Sequence, residues 1–334
     1  MTHTQASPSH SRPSSFTLFA AATAFALAAS LSIAHAARLN GGAQTPVIGI
    51  LSSPNEESDP AQGSFITDHY VKFLEAAGAR VVPVVYDQSR ESLDALQSKL
   101  NGILFTGGGL TLAEDSTYYQ AAKRIYENAK RYTDSGNPFT LWGTCMGFQL
   151  LHILGSGSNH SVLLEHAYDS YYVSLPLTLT PAAKKSFLFD VDEIPAKLFN
   201  AFQTENITLN LHHDGVDPAA YEENPELGSA FTILSTNVDL KGKPFVSTFE
   251  AKKYPFYGAQ WHPERPMFTW HPSENVIHND RTIEAGLWMA RRIVESARRS
   301  KSSFESDEEI PLIERDVPVH NLYSNIYYYK QSTN

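Results

Sequence analysis

The single cysteine of the 334-residue chain lies where a catalytic nucleophile could be presented. Cys145 is flanked by glycines in segment 143–147 (GTCMG), which follows a predicted strand, Phe139–Trp142, and precedes a predicted helix, Met146–Leu154. This order is typical of a nucleophile elbow, which raises the side chain above the carboxyl edge of a sheet. Such a thiol can attack a carbonyl carbon. The alternative is a structural cysteine buried in a glycine-rich turn.

Peptide groups near this cysteine are candidates for stabilising the oxyanion of an acyl-transfer reaction. The predicted helix directs its N-terminus at the sulfur, which favours the thiolate, and the N–H of Met146 would point toward the oxyanion. A second donor is predicted at or near Gly108, because segment 106–109 (TGGG) follows another predicted strand and lets the backbone approach a ligand closely. The alternatives are a plain loop or a phosphate-binding loop, although no G-K-[ST] follows.

A histidine that could activate the thiol lies far downstream. His262 ends the apolar segment 257–262 (YGAQWH), and Glu264 follows two residues later. In an extended segment, residues i and i+2 project to the same side, so we predict that Glu264 orients the imidazole and stabilises the imidazolium. Cys145, His262 and Glu264 are therefore the candidate catalytic group. The alternative for His262 is a capping role in a His-Pro turn.

A second cluster of polar residues occupies positions 210–215 (NLHHDG). Our preferred interpretation is that His212 contacts substrate. A metal site is the alternative, but adjacent histidines without a clear third ligand are weak evidence for one. Because the chain has one cysteine, it cannot form a thiolate zinc cluster or an internal disulfide framework.

Apolar runs alternate with helical patterns in the first half of the chain. The runs that predict strands are 46–51, 80–85, 102–105 and 139–142, and the helical patterns are 68–77, 91–100, 116–132 and 146–154. This alternation predicts an α/β fold, with a mostly parallel central sheet and helices on both faces. Later strand candidates lie closer together, so part of the sheet is predicted to be antiparallel; they are 171–179, 231–235, 245–250 and 256–261, before a closing helix at 282–297.

The N-terminal 36 residues have the features of a secretory signal peptide. Arg12 is their only Lys or Arg, an apolar stretch extends from Phe16 to Leu31, and 34–36 (AHA) matches the A-x-A cleavage pattern. An uncleaved anchor and a transit peptide are the alternatives. We therefore predict a signal peptide at 1–36, one catalytic domain at 37–299 and a C-terminal tail at 300–334.

Two features bear on location and partners. Sequons at Asn159 and Asn206 can carry glycan, and together with the leader they predict the secretory pathway and an extracellular, lysosomal or vacuolar destination. After the leader, no stretch reaches the ~18 apolar residues needed to span a bilayer. The net charge of −10 makes nucleic acid a poor candidate partner.

Five segments resemble the gamma-glutamyl hydrolases: PVIGILSSP, YVKFLEAAGARVVPV, LNGILFTGGG, LWGTCMGFQLL and YGAQWHPER. The resemblance extends from about Pro46 to Ala297, and the second and third segments narrow it from the superfamily to the hydrolases. It implies the class I glutamine amidotransferase-like fold, a flavodoxin-like arrangement of three αβα layers. It also implies that Cys145 is the nucleophile, that His262 is the general base and acid, and that Glu264 completes the group.

The activity implied by the resemblance is cleavage of γ-glutamyl amide bonds in folate poly-γ-glutamates through a γ-glutamyl thioester. Neither metal nor organic cofactor is implied, the substrate is the expected partner, and a homodimer is compatible with the sequence. Arg265 is either a contact for a substrate carboxylate or a surface residue. Three alternatives stay open: a peptidase for other γ-glutamyl compounds, a glutaminase of the amidotransferase type, and a non-catalytic binding protein.

Three residues depart from the family pattern and bear on substrate detail. Gln149 stands where relatives often carry Glu, Asp214 where an aromatic residue is more usual, and Phe65 where some relatives have Tyr. These changes leave the acyl-transfer residues in place. They concern the preferred substrate and its chain length.

Overall fold

The computed structural model describes residues 1, 45–55, 63–273, 275–320 and 325–330. The predicted signal peptide therefore lies outside the described residues, apart from Met1. The described strands, in chain order, are β1 (Val47–Leu51), β2 (Ser53–Pro54), β3 (Ser64–Thr67), β4 (Arg80–Val84), β5 (Gly102–Phe105), β6 (Thr140–Thr144), β7 (Ser170–Leu175), β8 (Thr178–Leu179), β9 (Thr208–His212), β10 (Phe231–Val238), β11 (Pro244–Ala251), β12 (Phe256–Ala259), β13 (Val319–His320) and β14 (Asn325–Tyr329).

Helices connect these strands and cover the main sheet. In chain order they are α1 (Asp68–Glu75), α2 (Arg90–Lys99), α3 (Thr117–Asp134), α4 (Met146–Gly155), α5 (Ala196–Thr204), α6 (Ala220–Glu223), α7 (Pro225–Ala230), α8 (Arg265–Phe268) and α9 (Asp280–Ala297). Side-chain caps fix several of their first turns. The Ser116 hydroxyl accepts from the Tyr119 N–H before α3, and Asn279 and Thr282 form a capping box at the start of α9.

The main sheet has eight strands in the spatial order β4-β1-β5-β6-β12-β11-β10-β8. The pairings from β4 to β12 are parallel, and those from β12 to β8 are antiparallel. One apolar core lies between the sheet and α2, α3 and α4, and a second lies on the other face with α1, α5 and α9. The predicted α/β class, with a mostly parallel sheet between two helical layers, is confirmed.

The second half of the chain differs from the prediction in one important way. The single strand expected at 171–179 is two strands, β7 and β8, because Pro176 and Leu177 separate them. Strand β7 pairs with β9 in a separate antiparallel ribbon, and β9 was not predicted. Two of its inward residues, Asn210 and His212, are polar and buried, so the segment lacks the apolar pattern of a core strand.

The expected C-terminal tail packs against the rest of the chain. Ile310 and Ile313 are buried in the two cores, and β14 pairs antiparallel with β3. In that pairing Tyr328 lies opposite Phe65 and Tyr327 opposite Ile66. The described part of 300–334 thus belongs to the same compact unit as the domain.

Two surface features concern the predicted location. Asn159 and Asn206, the sequon asparagines, are both exposed. Among the described residues, no helix combines the length and apolar character needed to cross a membrane.

Candidate active site

Cys145 lies on a sharp turn between β6 and α4, as the elbow prediction requires. Its φ of 51° is in the left-handed region, which is strained for a residue with a side chain. The turn needs the flanking glycines, since a Cβ on Gly143 would collide with the Gly147 carbonyl and one on Gly147 with the Phe105 carbonyl. The Cys145 N–H donates to the Ala259 carbonyl at 2.9 Å, which ties the elbow to β12.

The glycine segment at 106–109 lies directly beside this elbow. The N–H of Gly147 donates to the Thr106 carbonyl at 3.0 Å, and a Cβ on Gly108 would lie 3.1 Å from the Met146 methyl carbon. The Met146 N–H begins α4 and therefore has no acceptor within the helix. Gly108 and Met146, which the sequence predicts as oxyanion donors, therefore lie next to each other in the structure.

His262 and Glu264 form a buried pair next to Cys145. The imidazole Nδ1 lies 2.7 Å from Oε1 of Glu264, which is completely buried. A Cβ on Gly107 would lie 2.9 Å from Cε1 of His262 and 3.3 Å from Cβ of Cys145, so both side chains flank this one glycine. The Nε2 atom of His262 is buried and has no hydrogen-bond partner among the described residues.

The electrostatics of this pair favour a protonated imidazole. Burial alone lowers the pKa of His262, but the charges of Glu264 and of the Cys145 sulfur outweigh it and raise the pKa to about 9. An imidazolium beside the sulfur stabilises the thiolate, which is the nucleophilic form. The three predicted catalytic residues are therefore adjacent and electrically coupled.

Strand β9, which was not predicted from the sequence, contacts both His262 and Cys145. The His262 N–H donates to the Leu209 carbonyl at 2.9 Å, and the Cys145 sulfur lies 4.0 Å from the Leu211 carbonyl oxygen. His212, the last residue of β9, does not line the pocket. Its Nδ1 lies 2.8 Å from the Asp214 carbonyl oxygen and its Nε2 lies 3.3 Å from Oδ1 of Asn210.

The position of His212 differs from the expected substrate contact. Burial lowers its pKa to about 3, so the ring is neutral, and both ring nitrogens already face oxygen atoms of the protein. The loop after it is held by Gln149, whose Nε2 donates to the Asp214 carbonyl at 3.0 Å. The Asp214 carboxylate turns away and accepts from the His166 N–H. Two of the family departures thus meet in one loop behind the site.

A pocket of about 240 Å³ opens over the cysteine. Elements from distant parts of the chain supply its walls: Ser53, Phe65, Ile66, Thr67, His69, Tyr70, Thr106, Gly107, Gly108, Cys145, Tyr171, Leu211, His262 and Arg265. Arg265 has a partly buried side chain, and its Nε lies 3.6 Å from Oε1 of Glu264. It therefore lines the pocket and is more than a plain surface residue.

Several lining residues were not predicted from the sequence, among them His69, Tyr70 and Tyr171. Tyr70 accepts a hydrogen bond from the Gly107 N–H at 2.8 Å, which fixes the glycine segment against α1. Burial, followed by the Glu264 charge, raises the pKa of Tyr70 well above its usual value, so its hydroxyl stays protonated. His69 and Tyr70 lie within the helical pattern at 68–77, where periodicity indicates only which residues face the core.

The side chains and peptide groups of the site have the composition of an acyl-transfer centre. Within the described ranges, no group of three or more His, Cys, Asp or Glu side chains is placed to hold a metal ion. The groups that converge are a thiol, an imidazole with a buried carboxylate, and backbone N–H groups at a helix start. This combination can attack a carbonyl, stabilise the resulting oxyanion and protonate a leaving group.

Known proteins resemble this chain over most of its length. Residues 46–264 match the family model for peptidase C26. A gamma-glutamyl hydrolase of Mus musculus is 35% identical over 296 residues, covering 88% of this chain and 90% of that protein. The gamma-glutamyl hydrolase of Homo sapiens is 36% identical over 282 residues, with 83% and 86% covered. Gamma-glutamyl hydrolase 1 of Arabidopsis thaliana is 34% identical over 268 residues, with 79% and 75% covered.

A solved structure from Thermoplasma acidophilum also aligns with the chain. That protein is described as belonging to a GMP synthase. The alignment has a TM-score of 0.46 and 16% sequence identity, and it covers 76% of this chain and 94% of that one.

Proposed function

Because the chain belongs to the peptidase C26 family of gamma-glutamyl hydrolases, we propose that it cleaves the γ-glutamyl amide bonds of folate poly-γ-glutamates with Cys145 as nucleophile. Family membership makes the chain a cysteine hydrolase of γ-glutamyl bonds. The observation that carries the assignment of residues is the buried His262–Glu264 pair beside a cysteine held on a strained elbow.

The reaction begins with the thiolate of Cys145 and the imidazolium of His262. The sulfur attacks the γ-carbonyl carbon, a C–S bond forms, and negative charge develops on the carbonyl oxygen. The backbone N–H groups of Met146, at the start of α4, and of Gly108, whose Cα lies against the Met146 side chain, are the proposed donors to this oxyanion. Since these donors are backbone groups, they need little reorganisation as the charge develops.

Collapse of the tetrahedral intermediate breaks the C–N bond. His262 gives its Nε2 proton to the leaving amine, and the product is a γ-glutamyl thioester on Cys145. The neutral imidazole then takes a proton from water, whose oxygen attacks the thioester carbonyl. The C–S bond breaks, the γ-carboxylic acid leaves and loses its proton to solvent, and the thiolate–imidazolium pair is restored. Glu264 holds the imidazole through Nδ1 during both proton transfers.

The charges of the pocket support a polyanionic substrate. The chain carries a net charge of −10, yet none of the described residues that line this pocket is acidic. Arg265 supplies a positive charge at the wall, whereas the charge of the His262 imidazolium is balanced by the Cys145 thiolate and lies beside the Glu264 carboxylate. A poly-γ-glutamate tail, with one α-carboxylate on each residue, matches this local field.

The proposal extends to location and assembly. The exposed sequon asparagines, Asn159 and Asn206, support the secretory pathway and an extracellular, lysosomal or vacuolar destination. Loss of apparent mass on enzymatic removal of N-glycans from protein made in a eukaryotic host would test this. The homodimer stays a prediction, which sedimentation equilibrium of the purified chain checks directly.

The function is tested by mass spectrometry of the products from a ladder of folate polyglutamates. We expect shortened folates and released glutamate or short γ-glutamyl peptides from the wild type, and a rate lower by about four orders of magnitude or more from Cys145→Ala. A folded Cys145→Ala protein with comparable turnover would remove the nucleophile assignment. Turnover of free glutamine but not of the ladder would instead make the chain a glutaminase.

A further inference from the structure

The pocket contains a second buried imidazole that the reaction above does not use. His69 lies in the first turn of α1, is 3% exposed and lines the same pocket as Cys145 and His262. Its Nε2 lies 3.1 Å from the Thr67 hydroxyl. Its Nδ1 is buried and has no hydrogen-bond partner among the described residues.

His69 and His262 share an arrangement. In each ring one nitrogen is anchored by a neighbour, and the other has no protein partner among the described residues. In His262 the unpartnered nitrogen is the one that exchanges protons with substrate. Because a buried polar atom without a partner is costly, Nδ1 of His69 also indicates a place where a bound molecule completes the hydrogen bonding.

The surroundings of His69 define what that molecule carries. Burial, followed by the nearby charges of Arg265, His262 and Lys72, lowers the pKa of His69 well below its usual value, so the ring is neutral. When the Thr67 hydroxyl donates to Nε2, the ring proton lies on Nδ1, which then donates to a ligand. Arg265 adds a cationic donor at the same pocket, and no described lining residue is an acid. These groups suit an anion with two acceptor oxygens.

We propose that His69, through Nδ1, and Arg265 bind an α-carboxylate of a glutamyl residue beside the scissile amide, which makes His69 a specificity-determining residue. This inference rests on the proposed function, because only a γ-linked glutamyl substrate leaves its α-carboxylates free on both sides of the reacting bond. The carboxylate belongs either to the residue that is attacked or to the residue that leaves. The chemistry of recognition is the same in both cases.

Two substrate pairs test this subsite. The first is γ-glutamyl-p-nitroanilide and its α-carboxamide, which differ only at the attacked residue. The second is γ-glutamylglutamate and the analogue with a carboxamide at the α-position of the leaving residue. For wild type and His69→Phe, the ratio of kcat/KM between carboxylate and carboxamide is measured within each pair. Because both values come from one preparation, a loss of folded protein leaves the ratio unchanged.

We expect His69→Phe to lower this ratio about tenfold or more in one pair, since a hydrogen bond to a charged group is removed. A fall in the first pair places the carboxylate on the attacked residue, and a fall in the second places it on the leaving residue. An unchanged ratio in both pairs would overturn the proposal.

Two further variants separate recognition from packing. His69→Asn keeps an N–H donor near the position of Nδ1, so it should retain most of the wild-type ratio. His152→Phe replaces another buried imidazole, one that contacts the Phe148 carbonyl and the Tyr221 hydroxyl away from the pocket, and its ratio should equal that of wild type. If His69→Asn lost the preference as fully as His69→Phe, shape rather than hydrogen bonding would be responsible, and the proposal would fail.

A binding experiment keeps the subsite testable apart from catalysis. In the Cys145→Ala background, calorimetry compares γ-glutamylglutamate with its two monocarboxamides, with and without His69→Phe. Binding that loses its carboxylate preference in His69→Phe supports the subsite even if the wild type shows no turnover. Turnover with a preference that His69→Phe leaves intact supports the hydrolase and removes the subsite.

Discussion

Two strand ends in this molecule carry a buried histidine followed two residues later by an acid. His212 ends β9 and precedes Asp214, and His262 follows β12 and precedes Glu264. Each side chain is almost completely buried, and in each the Nδ1 atom lies within 2.8 Å of an oxygen of the acidic residue. That oxygen belongs to the main-chain carbonyl of Asp214 in one case and to the carboxylate of Glu264 in the other.

Because the two oxygens differ in charge, the pKa values of the two histidines shift in opposite directions. The pKa of His212 is lowered to about 3 by burial, which a carbonyl cannot offset. The pKa of His262 is raised to about 9, because the Glu264 carboxylate and the Cys145 sulfur overcome the same burial. The spacing of histidine and acid therefore does not by itself make a reactive pair. Whether the pair is reactive depends on whether the side chain of the acid turns toward the imidazole.

Among substitutions at the two strand ends, the largest expected effect comes from removing the imidazole of His262. We expect His262→Ala to lower kcat/KM by about three orders of magnitude or more, because the general acid and base is lost. The rate of Cys145 alkylation by iodoacetamide at pH 7 should fall about tenfold, since the imidazolium that stabilises the thiolate is absent. Stopped-flow kinetics and mass-spectrometric labelling measure the two effects. An alkylation rate equal to that of wild type would separate His262 from the activation of the sulfur.

The next effect concerns the carboxylate that distinguishes the two strand ends. Glu264→Gln keeps the shape of the side chain but removes the charge that raises the pKa of His262. We expect kcat to fall by about two to four orders of magnitude. The imidazolium should also deprotonate at a lower pH, so the alkaline limb of the profile of kcat/KM against pH should move toward neutrality. A profile that keeps its alkaline limb would show that Glu264 does not set the charge of His262.

The titration of His212 should affect the stability of the fold rather than catalysis. Since the pKa of His212 is about 3 in the folded chain and near ~6.5 when unfolded, the unfolded state binds more protons between these values. Its contribution to stability is therefore complete above pH 6.5 and declines as the pH falls toward 3. Between pH 7 and 5, we expect the free energy of unfolding to fall by about 2 kcal/mol more in wild type than in His212→Asn.

Urea unfolding at several pH values measures this difference. His262 acts in the opposite sense, because its pKa is raised: its contribution is complete below pH 6.5 and is lost as the pH rises through 9. Equal pH dependence in wild type and His212→Asn would contradict the neutral, buried state of His212.

The smallest effect should come from Asp214, the counterpart of Glu264. Its carboxylate accepts from the His166 N–H and faces the surface, while its carbonyl serves His212. In Asp214→Asn the amide oxygen can still accept that bond. We expect kcat within about threefold of wild type and a change in unfolding free energy below about 0.5 kcal/mol. A large loss of activity would mean that Asp214 acts on the site despite its orientation.

The parallel half of the fold was accessible from local patterns. Strands β1, β5 and β6 are short apolar runs between amphipathic helices, and the glycines around Cys145 mark the elbow that follows β6. His262 and Glu264 were also found, although the expected extended geometry is absent: β12 ends at Ala259, and a turn at 263–264 brings the two side chains together. These features depend on neighbours within a few positions of the sequence.

What could not be predicted depends on contacts between distant segments. Strand β9 buries Asn210 and His212, whose polarity is unlike that of a core strand. Strand β3 is recognisable only through its pairing with β2 and β14. His69 and Tyr70 appear in sequence as positions in a helix, and their place in the pocket follows from how α1 lies against the glycine segment. The periodicity of a sequence does not indicate which distant segments come into contact.

The close packing of the elbow has a consequence for protein engineering. Any side chain at Gly143 or Gly147 would displace main chain and move the sulfur with it, so these positions belong to the fixed scaffold of a combinatorial library. Phe65, His69 and Tyr171 line the same pocket with side chains and leave the turn untouched. Directed evolution of a new acyl specificity is best concentrated on these three positions, because substitutions there change the wall of the pocket and leave the turn at Cys145 intact.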